Sequence, residues 1–303
     1  MPLYRCSHDY IKGKRMDYVS SFLLIISVWV SISALRYLIF ASIAFNSQNK
    51  ILKKYWPNRR LAKSEPSRSQ IKREMKDSAL TAIIFGSIIT LVGILRQSGL
   101  NQIYTQVSDF GWAYLIVSSA LVIIGHDAYF YWAHRLMHLP RLYKKFHAGH
   151  HKSTNPSPFA AWAFDWQEAV IHVSYLLIIS SIFPLHNSVL MVLAIWSMTF
   201  NVIGHLGHEI FPTGWAKMNI TNTVTHHHMH HQTFNHNYGL YFPWWDRMMG
   251  TEHPLYVEVF DHIVDPKRDG IKNISAIARE LKAKDQTKTQ SPGREVKQIN
   301  IVG

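Results

Sequence analysis

The stretch that decides the fold is GWAYLIVSSALVIIGHDAYFYWAHRLMH, residues 111–138, in which an apolar block runs directly into a histidine cluster. The chain contains 19 histidines, and sixteen of them lie between His126 and His236. Its single cysteine, Cys6, excludes an internal disulfide, a thiolate zinc site and a four-cysteine iron–sulfur cluster. The stretch therefore indicates a metal held by imidazole beside an apolar segment.

The apolar residues outside this stretch are also gathered into long blocks. Together with the block inside it, they cover residues 17–46, 78–95, 111–124, 169–183 and 189–203. Crossing about 30 Å of hydrocarbon takes about 20 helical residues, so these blocks suffice for four to five transmembrane helices. The first block begins too late and is too long for a cleaved signal peptide, so it is predicted to be a membrane helix or a re-entrant pair. The predicted fold class is all-α, in an integral, multi-pass membrane protein.

Charge is distributed unevenly between the loops. Residues 50–76 contain ten Lys or Arg residues, whereas residues 97–110, the next connection, contain none. By the positive-inside rule the first loop is cytoplasmic, and counting the crossings then places every histidine cluster on the cytoplasmic face. The same count puts the N-terminus outside, although it is basic and the rule would keep it in the cytoplasm. A re-entrant first block, which returns to the side from which it enters, would resolve this conflict. The net charge of +13 favours anionic lipid headgroups over nucleic acid as the partner, because no nucleic-acid recognition module is present.

The histidine clusters repeat a helical spacing three times. The positions are His134 and His138, then His147, His150 and His151, and finally His227, His230 and His231. Residues three or four apart lie on one face of a helix, and Pro140 would end the first of these helices. Eight imidazoles exceed what one tetrahedral zinc ion can use, so two metal ions are implied. Sites with open positions suit iron that binds dioxygen better than structural zinc.

Carboxylates near the clusters are candidates for orienting the rings. Asp127 lies seven residues before His134, on nearly the same helical face, and could accept a hydrogen bond from the Nδ1–H of that ring. The other candidates for this role are Asp165, Glu168 and Glu209. The histidines outside the helical spacing, which are predicted not to be ligands, are His226, His228 and the isolated His8, His172, His186, His253 and His262.

Residues 127–151, DAYFYWAHRLMHLPRLYKKFHAGHH, resemble the signature of the fatty acid hydroxylase and sterol desaturase superfamily, which is HxxxH followed by HxxHH. Residues 201–209, NVIGHLGHE, are similar to the intermediate histidine element of that superfamily. Residues 227–231, HHMHH, resemble its closing HxxHH, and they are followed by NYG at 237–239 and WDRMMGT at 245–251. The similarity is collinear and covers about residues 125–252.

The resemblance implies a cytoplasmic helical cap over a four-helix membrane base. The cap would hold two iron ions (Fe2+/Fe3+) that use dioxygen as co-substrate to oxidise a lipid. By matching position, the eight spaced histidines and His205 would be metal ligands. His208 is a tenth candidate in a place often occupied by an aromatic residue, so the ligand count stays open. His126 and His236 are further possibilities.

Three parts of the chain are expected. They are an N-terminal membrane segment with a basic cytoplasmic loop (residues 1–77), a membrane-embedded catalytic domain (78–269) and a basic, disordered C-terminal tail (270–303). The sequence contains no haem-binding or flavin-binding motif and no Gly-rich dinucleotide fingerprint. Electrons are therefore expected from a separate ferredoxin, b-type cytochrome or reductase, drawn to the basic cytoplasmic face.

The favoured function is hydroxylation of a membrane lipid, at an acyl chain, a sterol or a lipid headgroup. Desaturation by the same chemistry is the first alternative. A divalent-metal transporter is an alternative from another class, but it should place ionisable residues at mid-membrane depth, whereas these clusters follow the apolar blocks. A zinc hydrolase is a third alternative, but HExxH is absent, and HLGHE at 205–209 has the wrong order for that motif and its reversed form.

Overall fold

Helices account for most of the architecture. The computed structural model describes residues 3–265, 267, 276, 277 and 279, with side chains from Val19 onward. Within these residues two short strands, β1 (Ile103–Tyr104) and β2 (Leu185–His186), pair in parallel with Ile103 opposite Leu185. The predicted all-α class is confirmed.

The helices differ widely in length. In chain order they are α1 (Leu3–Ser47), α2 (Lys53–Tyr55), α3 (Arg68–Gln97), α4 (Gly111–Met137), α5 (Pro140–Phe146), α6 (Trp166–Ile182), α7 (Asn187–Gly204), α8 (Val224–Thr233), α9 (Trp244–Met248) and α10 (Tyr256–Val264). A π-helical stretch, Gln48–Leu52, joins α1 to α2. Short 3₁₀ helices lie in the connections at Pro57–Arg59, Val107–Asp109, His150–Lys152, Pro158–Trp162 and Trp215–Lys217.

Four of the described helices are long and apolar enough to cross a membrane. They are α1 with its continuation to Tyr55, α3, α4 and α7, while α6 is apolar but shorter, at 17 residues. Large apolar side chains on the outer faces are exposed, among them Leu24 at 66% and Ile116 at 67%. Exposed apolar surface on this scale suits contact with lipid rather than with water. The prediction of four to five transmembrane helices is confirmed, and the chain is an integral membrane protein.

The first apolar block is one continuous helix. α1 runs for 45 residues without interruption, so the alternative of a re-entrant pair is wrong. At about 1.5 Å per residue this helix is about 68 Å long, more than twice the thickness of the hydrocarbon core. The conflict between the basic N-terminus and the positive-inside count is therefore not removed by a turn within this block.

α1 packs closely against α3 and against the segment that follows the second histidine cluster. Gly86 on α3 permits the approach, because a Cβ at this position would lie 2.5 Å from the Cα of Val30. Farther along α1, the ring of Tyr37 stacks on that of Trp162 with centroids 5.7 Å apart. The Tyr37 hydroxyl also donates a hydrogen bond to the C=O of Phe159 at 2.8 Å. α1 is thereby fixed to the part of the chain that carries the histidines.

One predicted domain boundary lies inside a helix, and the other lies among residues outside the described part of the chain. Residue 78, the predicted start of the catalytic domain, lies inside α3. Of the predicted tail, residues 270–303, only 276, 277 and 279 are described, and Ile277 is buried in one apolar cluster with Phe260 of α10. The other residues of the tail lie outside the described part of the chain. The division into three parts stays a prediction.

α8 is a short helix that is buried along most of its length. All eight residues from Val224 to His231 are buried. The helix packs against α7 and α10, and Met229 of α8 shares an apolar cluster with Val259 and Phe260 of α10. A ten-residue helix rich in histidine would not form a stable buried element in water by itself, so this packing holds it in place.

Candidate metal centre

The first histidine pair lies where α4 ends. His134 is in the last turn of α4, His138 caps the helix, and Pro140 then begins α5, so the predicted end of the helix is confirmed. The Nδ1–H of His134 donates a hydrogen bond to the C=O of Tyr238 at 2.8 Å. Its Nε2 lies 3.0 Å from the Nε2 of His147, the first residue of the second cluster. The end of this membrane helix therefore carries one side of the site.

The second cluster is not on an α-helix, so the predicted α-helix over it is wrong. α5 ends before the cluster, which forms a turn with a short 3₁₀ helix at His150–Lys152. The backbone turns because the N–H of Gly149 donates to the Asp165 carboxylate at 2.8 Å, and a Cβ on Gly149 would collide with that carboxylate. The turn sends the ring of His147 into one group of imidazoles and the ring of His150 into another.

The third cluster lies on α8, as its spacing predicts. Thr223 caps the helix by accepting a hydrogen bond from the N–H of His226 at 3.2 Å. His205 lies just beyond the end of α7, and its Nε2 is 3.2 Å from the Nε2 of His227. Gly204 permits this contact, since a Cβ there would lie 3.1 Å from the His227 ring. The end of α7 and one face of α8 thus contribute to the same site.

Nine of the ten histidines predicted as ligands gather into two groups. Group A contains His134, His138, His147, His151 and His230, and group B contains His150, His205, His227 and His231. Within each group, the candidate ligand atoms all lie within 4.8 Å of one another. The groups adjoin, because the ring centroid of His231 lies 4.7 Å from that of His150 and 4.8 Å from that of His151.

Backbone carbonyls hold several of the ring nitrogens that point away from the groups. In addition to His134, the Nδ1–H donors and their C=O acceptors are His205 to Asn201 (2.6 Å), His230 to His236 (2.7 Å) and His150 to Ala163 (3.3 Å). A carbonyl oxygen only accepts hydrogen bonds, so each of these rings carries its proton on Nδ1. Each therefore presents an unprotonated Nε2 to its group.

The facing nitrogens fit a metal ion in each group. Nε2 atoms are 3.0 Å apart between His134 and His147, and 3.2 Å apart between His227 and His231. Two nitrogen lone pairs at this distance repel each other unless a cation or a shared proton lies between them. Neutral imidazole nitrogens converging in this way are a donor set that iron, zinc and copper accept. Both groups can therefore hold a metal ion.

Burial keeps the imidazoles neutral. Removal from water lowers the pKa of His205 to about 4 and the pKa of His138 to about 2, with His134 adding to the effect at His138. The other rings whose pKa values are well below the usual value, through burial first and neighbouring histidines second, are His147, His150, His151, His227, His230 and His231. The neutral form is the one that binds a metal.

Glu168 contacts group A from α6. Its buried Oε1 lies 2.8 Å from the Nδ1 of His147 and 3.4 Å from the Nε2 of His172. Because the pKa of His147 is well below its usual value, its ring is neutral and the shorter contact is not an ion pair. The two atoms are close, but they are not aligned as a hydrogen bond. The contact places Glu168 beside the outer nitrogen of a candidate ligand, and its role in orienting that ring stays a prediction.

Asp127 does not make the contact predicted for it. The Nδ1–H of His134 is taken by Tyr238, and the Asp127 carboxylate instead accepts from the N–H groups of Tyr241 at 2.8 Å and Phe242 at 3.4 Å. The reason is that residues 238–242 run alongside α4, so their backbone groups become the partners of both side chains. Asp127 fixes this loop rather than a histidine ring.

The other two candidate carboxylates also hold backbone. Asp165 accepts from Gly149, and Glu209 accepts from the N–H and hydroxyl of Thr225 at 2.8 and 2.6 Å. Glu209 also accepts from the N–H of Phe211 at 3.0 Å. Since Thr225 lies in the first turn of α8, these carboxylates fix two of the segments that carry the histidine clusters.

His208 lies apart from both groups. Beyond His205 the chain leaves α7 and pairs with the segment around Arg60, where the N–H of Leu61 donates to the C=O of Gly207 at 3.1 Å. Burial lowers the pKa of His208 to about 4, and the charge of Arg60 adds to the effect. Because no helix holds His208 on the face of His205, the geometry gives no support to His208 as a ligand.

Asp246 is a further buried carboxylate of the site that is not among the residues predicted from the sequence. This fully buried carboxylate accepts from the N–H groups of Tyr238 at 2.9 Å and Gly239 at 2.7 Å, and its Oδ2 lies 3.4 Å from the Nε2 of His226. It thereby fixes the loop whose Tyr238 carbonyl holds the ring of His134. The signal was an acidic residue in the otherwise apolar and basic stretch WDRMMGT, residues 245–251.

The other described histidines lie outside both groups. The Nδ1 of His126 is 2.9 Å from the Tyr241 hydroxyl, and the contact of His236 with His230 is made by its backbone carbonyl. His226 and His228 are buried on α8 but belong to neither group, in agreement with their spacing.

A cavity of about 10 Å³, room for about one water molecule, lies beside group B. It is lined by Phe200, Asn201, Ile203, Gly204, Asn222, Thr223, His227 and Leu240. Its walls are mainly apolar, with a few polar groups, but its volume is far below the roughly 300–1,000 Å³ of a small-molecule site. His227 belongs both to the wall of this cavity and to group B, so the cavity adjoins the proposed metal.

The chain is similar to known proteins over the region that holds both groups. Residues 119–251 match the family model described as "Fatty acid hydroxylase". A Delta(7)-sterol 5(6)-desaturase of Aspergillus fumigatus is 34% identical over 229 residues, which are 69% of either chain. A second such desaturase, of Gibberella zeae, is 31% identical over 68% of this chain and 61% of its own length.

The lathosterol oxidase of Rattus norvegicus is 33% identical, over 54% of this chain and 56% of its own length. The chain thus spans between about half and about two thirds of these relatives. No solved structure matches it. The matching region contains all three histidine clusters, which lie at the end of α4, in the turn after α5 and on α8. The chain therefore belongs to the fatty acid hydroxylase and sterol desaturase superfamily and is an oxidoreductase.

Proposed function

We propose that the protein is an oxygen-dependent di-iron hydroxylase that inserts OH into an unactivated C–H bond of a membrane lipid. The observation that carries this proposal is the adjacency of groups A and B at the ends of membrane helices. A structural zinc site is complete with four ligands around one ion, whereas nine imidazoles around two centres suit metals that also bind substrate. Membership of the superfamily supports iron as that metal.

The proposed iron ligands are the nine histidines of the two groups. Bound iron would supply the activation of dioxygen that attack on an unactivated C–H bond requires. The protein keeps the rings neutral by burial and oriented by their outward hydrogen bonds. Neutral ligands bring no negative charge into a buried site, so the nearby buried carboxylates, Glu168 and Asp246, would offset part of the charge of the cations.

The proposed substrate is an acyl chain, a sterol or the headgroup of a membrane lipid. The apolar outer faces of the membrane helices favour a molecule that arrives from the bilayer. The named relatives include two sterol desaturases and a lathosterol oxidase. Their activities favour desaturation of a sterol-like lipid as the second candidate function.

Both reactions consume two electrons from outside the protein. In hydroxylation, one atom of O2 enters the C–H bond, and the other leaves as water after two electrons and two protons are added. In desaturation, the lipid loses two hydrogens, and with two added electrons and protons both oxygen atoms leave as water. The proposed donor is a separate ferredoxin, b-type cytochrome or reductase. Its access from the cytoplasm agrees with the basic loop at residues 50–76, which supports a cytoplasmic metal centre.

The test combines metal analysis with lipid analysis. The purified protein is expected to contain about two iron ions per chain, as a two-metal oxidation site requires. Lipid extracts of cells with and without the gene are compared by mass spectrometry. A gain of one oxygen indicates hydroxylation, and a loss of two hydrogens indicates desaturation. Two results would contradict both hydroxylation and desaturation if the lipids are also unchanged. One is a single tightly bound zinc ion, and the other is a mixture of loosely held metals, as a transporter would carry.

A further inference from the structure

We propose that α5 is the docking surface for an acidic, one-electron carrier protein, and that its electrons reach group A through Tyr143 and His138. The inference rests on the proposed function, because only a redox centre needs such a partner. Each turnover takes two electrons, so two molecules of the reduced carrier are oxidised, and the accompanying two protons come from water. Three observations support this location.

The first observation is the exposure of His138. It is partly exposed, whereas the other eight histidines of groups A and B are buried. Group B is enclosed by buried rings, and group A reaches the surface at this one histidine. An external electron donor therefore comes closest to the proposed metal ions at His138.

The second observation is the position of Tyr143, which lies on α5 over this opening. Its ring centroid is 5.4 Å from that of His138 and 5.9 Å from that of His151, and its side chain is partly exposed. An electron that arrives at α5 would thus pass from one aromatic ring directly to two rings of group A. The contacts are directly from ring to ring.

The third observation is the charge of the surface around Tyr143. Between Asp127 and Asp165 the sequence contains no acidic residue. It contains five basic residues, which are Arg135, Arg141, Lys144, Lys145 and Lys152. The three on α5 are exposed, and among the described residues none of them forms a salt bridge. Uncompensated positive charge of this kind attracts an acidic protein and speeds its association.

Anionic lipid headgroups are the other partner that a basic face could bind. The carrier is favoured because the charge surrounds the exposed edge of the metal centre. A headgroup would gain nothing from contact with Tyr143 or His138. A carrier must bring its own redox group close to them.

The test compares two electron sources. The protein in neutral nanodiscs is supplied with a lipid extract from cells that lack the gene, and it is reduced either by dithionite or by an acidic carrier. The carriers used are a [2Fe–2S] ferredoxin and a soluble b-type cytochrome domain, each with its reductase. Lys144→Glu combined with Lys145→Glu should raise the KM for the carrier at least roughly tenfold and reverse its salt dependence. Dividing the carrier-driven rate by the dithionite-driven rate corrects for any general loss of activity in the variant.

The matched control is Lys54→Glu combined with Lys63→Glu, which changes the net charge equally at exposed lysines of another segment. A rise in KM that is equal for both pairs overturns the docking surface, and so does turnover with dithionite but with neither carrier. If the charge reversal at Lys144 and Lys145 lowers the rate only in anionic nanodiscs, and equally with dithionite and with a carrier, the basic face binds lipid headgroups. That result also overturns the docking surface. Absence of iron and of lipid oxidation with every reductant is a failure of the proposed function itself.

Discussion

His205 and His230 illustrate how a backbone carbonyl sets the chemistry of a ring. Each donates its Nδ1–H to a carbonyl oxygen less than 2.8 Å away, and each has an Nε2 directed at other imidazoles. The proton is thereby held on the outer nitrogen, and the inner nitrogen keeps its lone pair. A ring that could rotate or exchange tautomers would lose metal affinity, since the partners of ligating histidines commonly affect it 10-fold to roughly 100-fold.

His231→Ala is expected to remove iron from group B. The Nε2 of His231 lies 3.2 Å from that of His227, so its loss leaves a gap in a four-membered group. The iron content should fall from about two per chain to about one or fewer, and lipid oxidation should be lost. The measurement is metal analysis of the purified variant. His228→Ala is the matched control, because His228 is buried on the same helix but belongs to neither group. Equal iron loss from both variants would contradict the ligand assignment.

Acid is expected to destabilise the metal-free protein below pH 6.5. The folded pKa of His205 is about 4, and those of the other buried rings are also lowered, whereas the unfolded chain has the usual value of about 6.5. Between these values the unfolded chain binds protons that the folded chain does not. Unfolding therefore becomes more favourable as the pH falls from 6.5 towards 4. The check is the thermal unfolding midpoint in detergent. A midpoint that stays constant over this range would contradict the neutral state of the buried rings.

Much of the site could be predicted from single residues. The spacing of His227, His230 and His231 is sufficient to place them on one face of α8, and the structure agrees. The roles of the carboxylates could not be predicted, because they depend on the loop at residues 238–242, which is more than 100 residues from Asp127 and from His134. The surroundings of His208 could not be predicted for the same reason, since they depend on a pairing with the segment of Arg60.

At the scale of elements, α3 is joined to the turn that carries the second histidine cluster. The buried carboxylate of Glu74 accepts hydrogen bonds from the hydroxyls of Ser153, at 2.7 Å, and Ser157. Gln70, one turn earlier, donates to Glu74 at 2.8 Å and to the C=O of Asn155 at 2.8 Å. These contacts fix the chain directly after the His150–Lys152 turn. A membrane helix thereby positions ligands of both groups.

Glu74→Ala is expected to loosen this turn. Three donors would lose their acceptor in a buried place, at a cost of about 1–3 kcal/mol for each unsatisfied group. The thermal midpoint should fall by several degrees, and iron should be lost more readily to a chelator. Both are measured on the purified protein. Glu74→Gln should be milder, since it keeps an acceptor oxygen. Lys72→Ala, an exposed change on the same helix, should have no effect.

The elements were predictable where apolar periodicity or spacing acts locally. The end of α4 before Pro140 and the existence of α8 follow from such signals. The turn at residues 147–152 could not be predicted from local signals, because its shape depends on Asp165 at the start of α6, which accepts a hydrogen bond from Gly149. The spacing of the cluster suits a helix, and a tertiary hydrogen bond prevents one.

At the scale of the whole molecule, the histidine groups lie at the ends of long helices, with His134 in the last turn of α4 and His205 directly after α7. The apolar blocks were sufficient to predict the number of membrane helices. They could not predict how α1 packs, since the contact of Gly86 with Val30 depends on a small residue meeting one place on another helix. The side of the membrane on which the groups lie stays a prediction from charge.

Labelling of single cysteines tests this orientation. Cys6→Ser removes the one native thiol, and cysteines are then introduced by Lys63→Cys and Gln106→Cys, both at exposed positions. A membrane-impermeant maleimide should label position 106 in intact cells and position 63 only after the cytoplasm is opened, because the basic loop is retained inside. The reverse pattern would place the metal centre outside. The native Cys6, tested alone, reports the side of the N-terminus.

Neighbouring residues of the chain are divided between the two groups at two places. His150 belongs to group B and His151 to group A, while His230 belongs to group A and His231 to group B. A movement of either short segment that releases one ion therefore displaces a ligand of the other. Filling of the two sites should be cooperative, with chains that hold a single ion a minor population at every degree of loading. The neighbouring pairs His150–His151 and His230–His231 thus couple two ions that share no ligand.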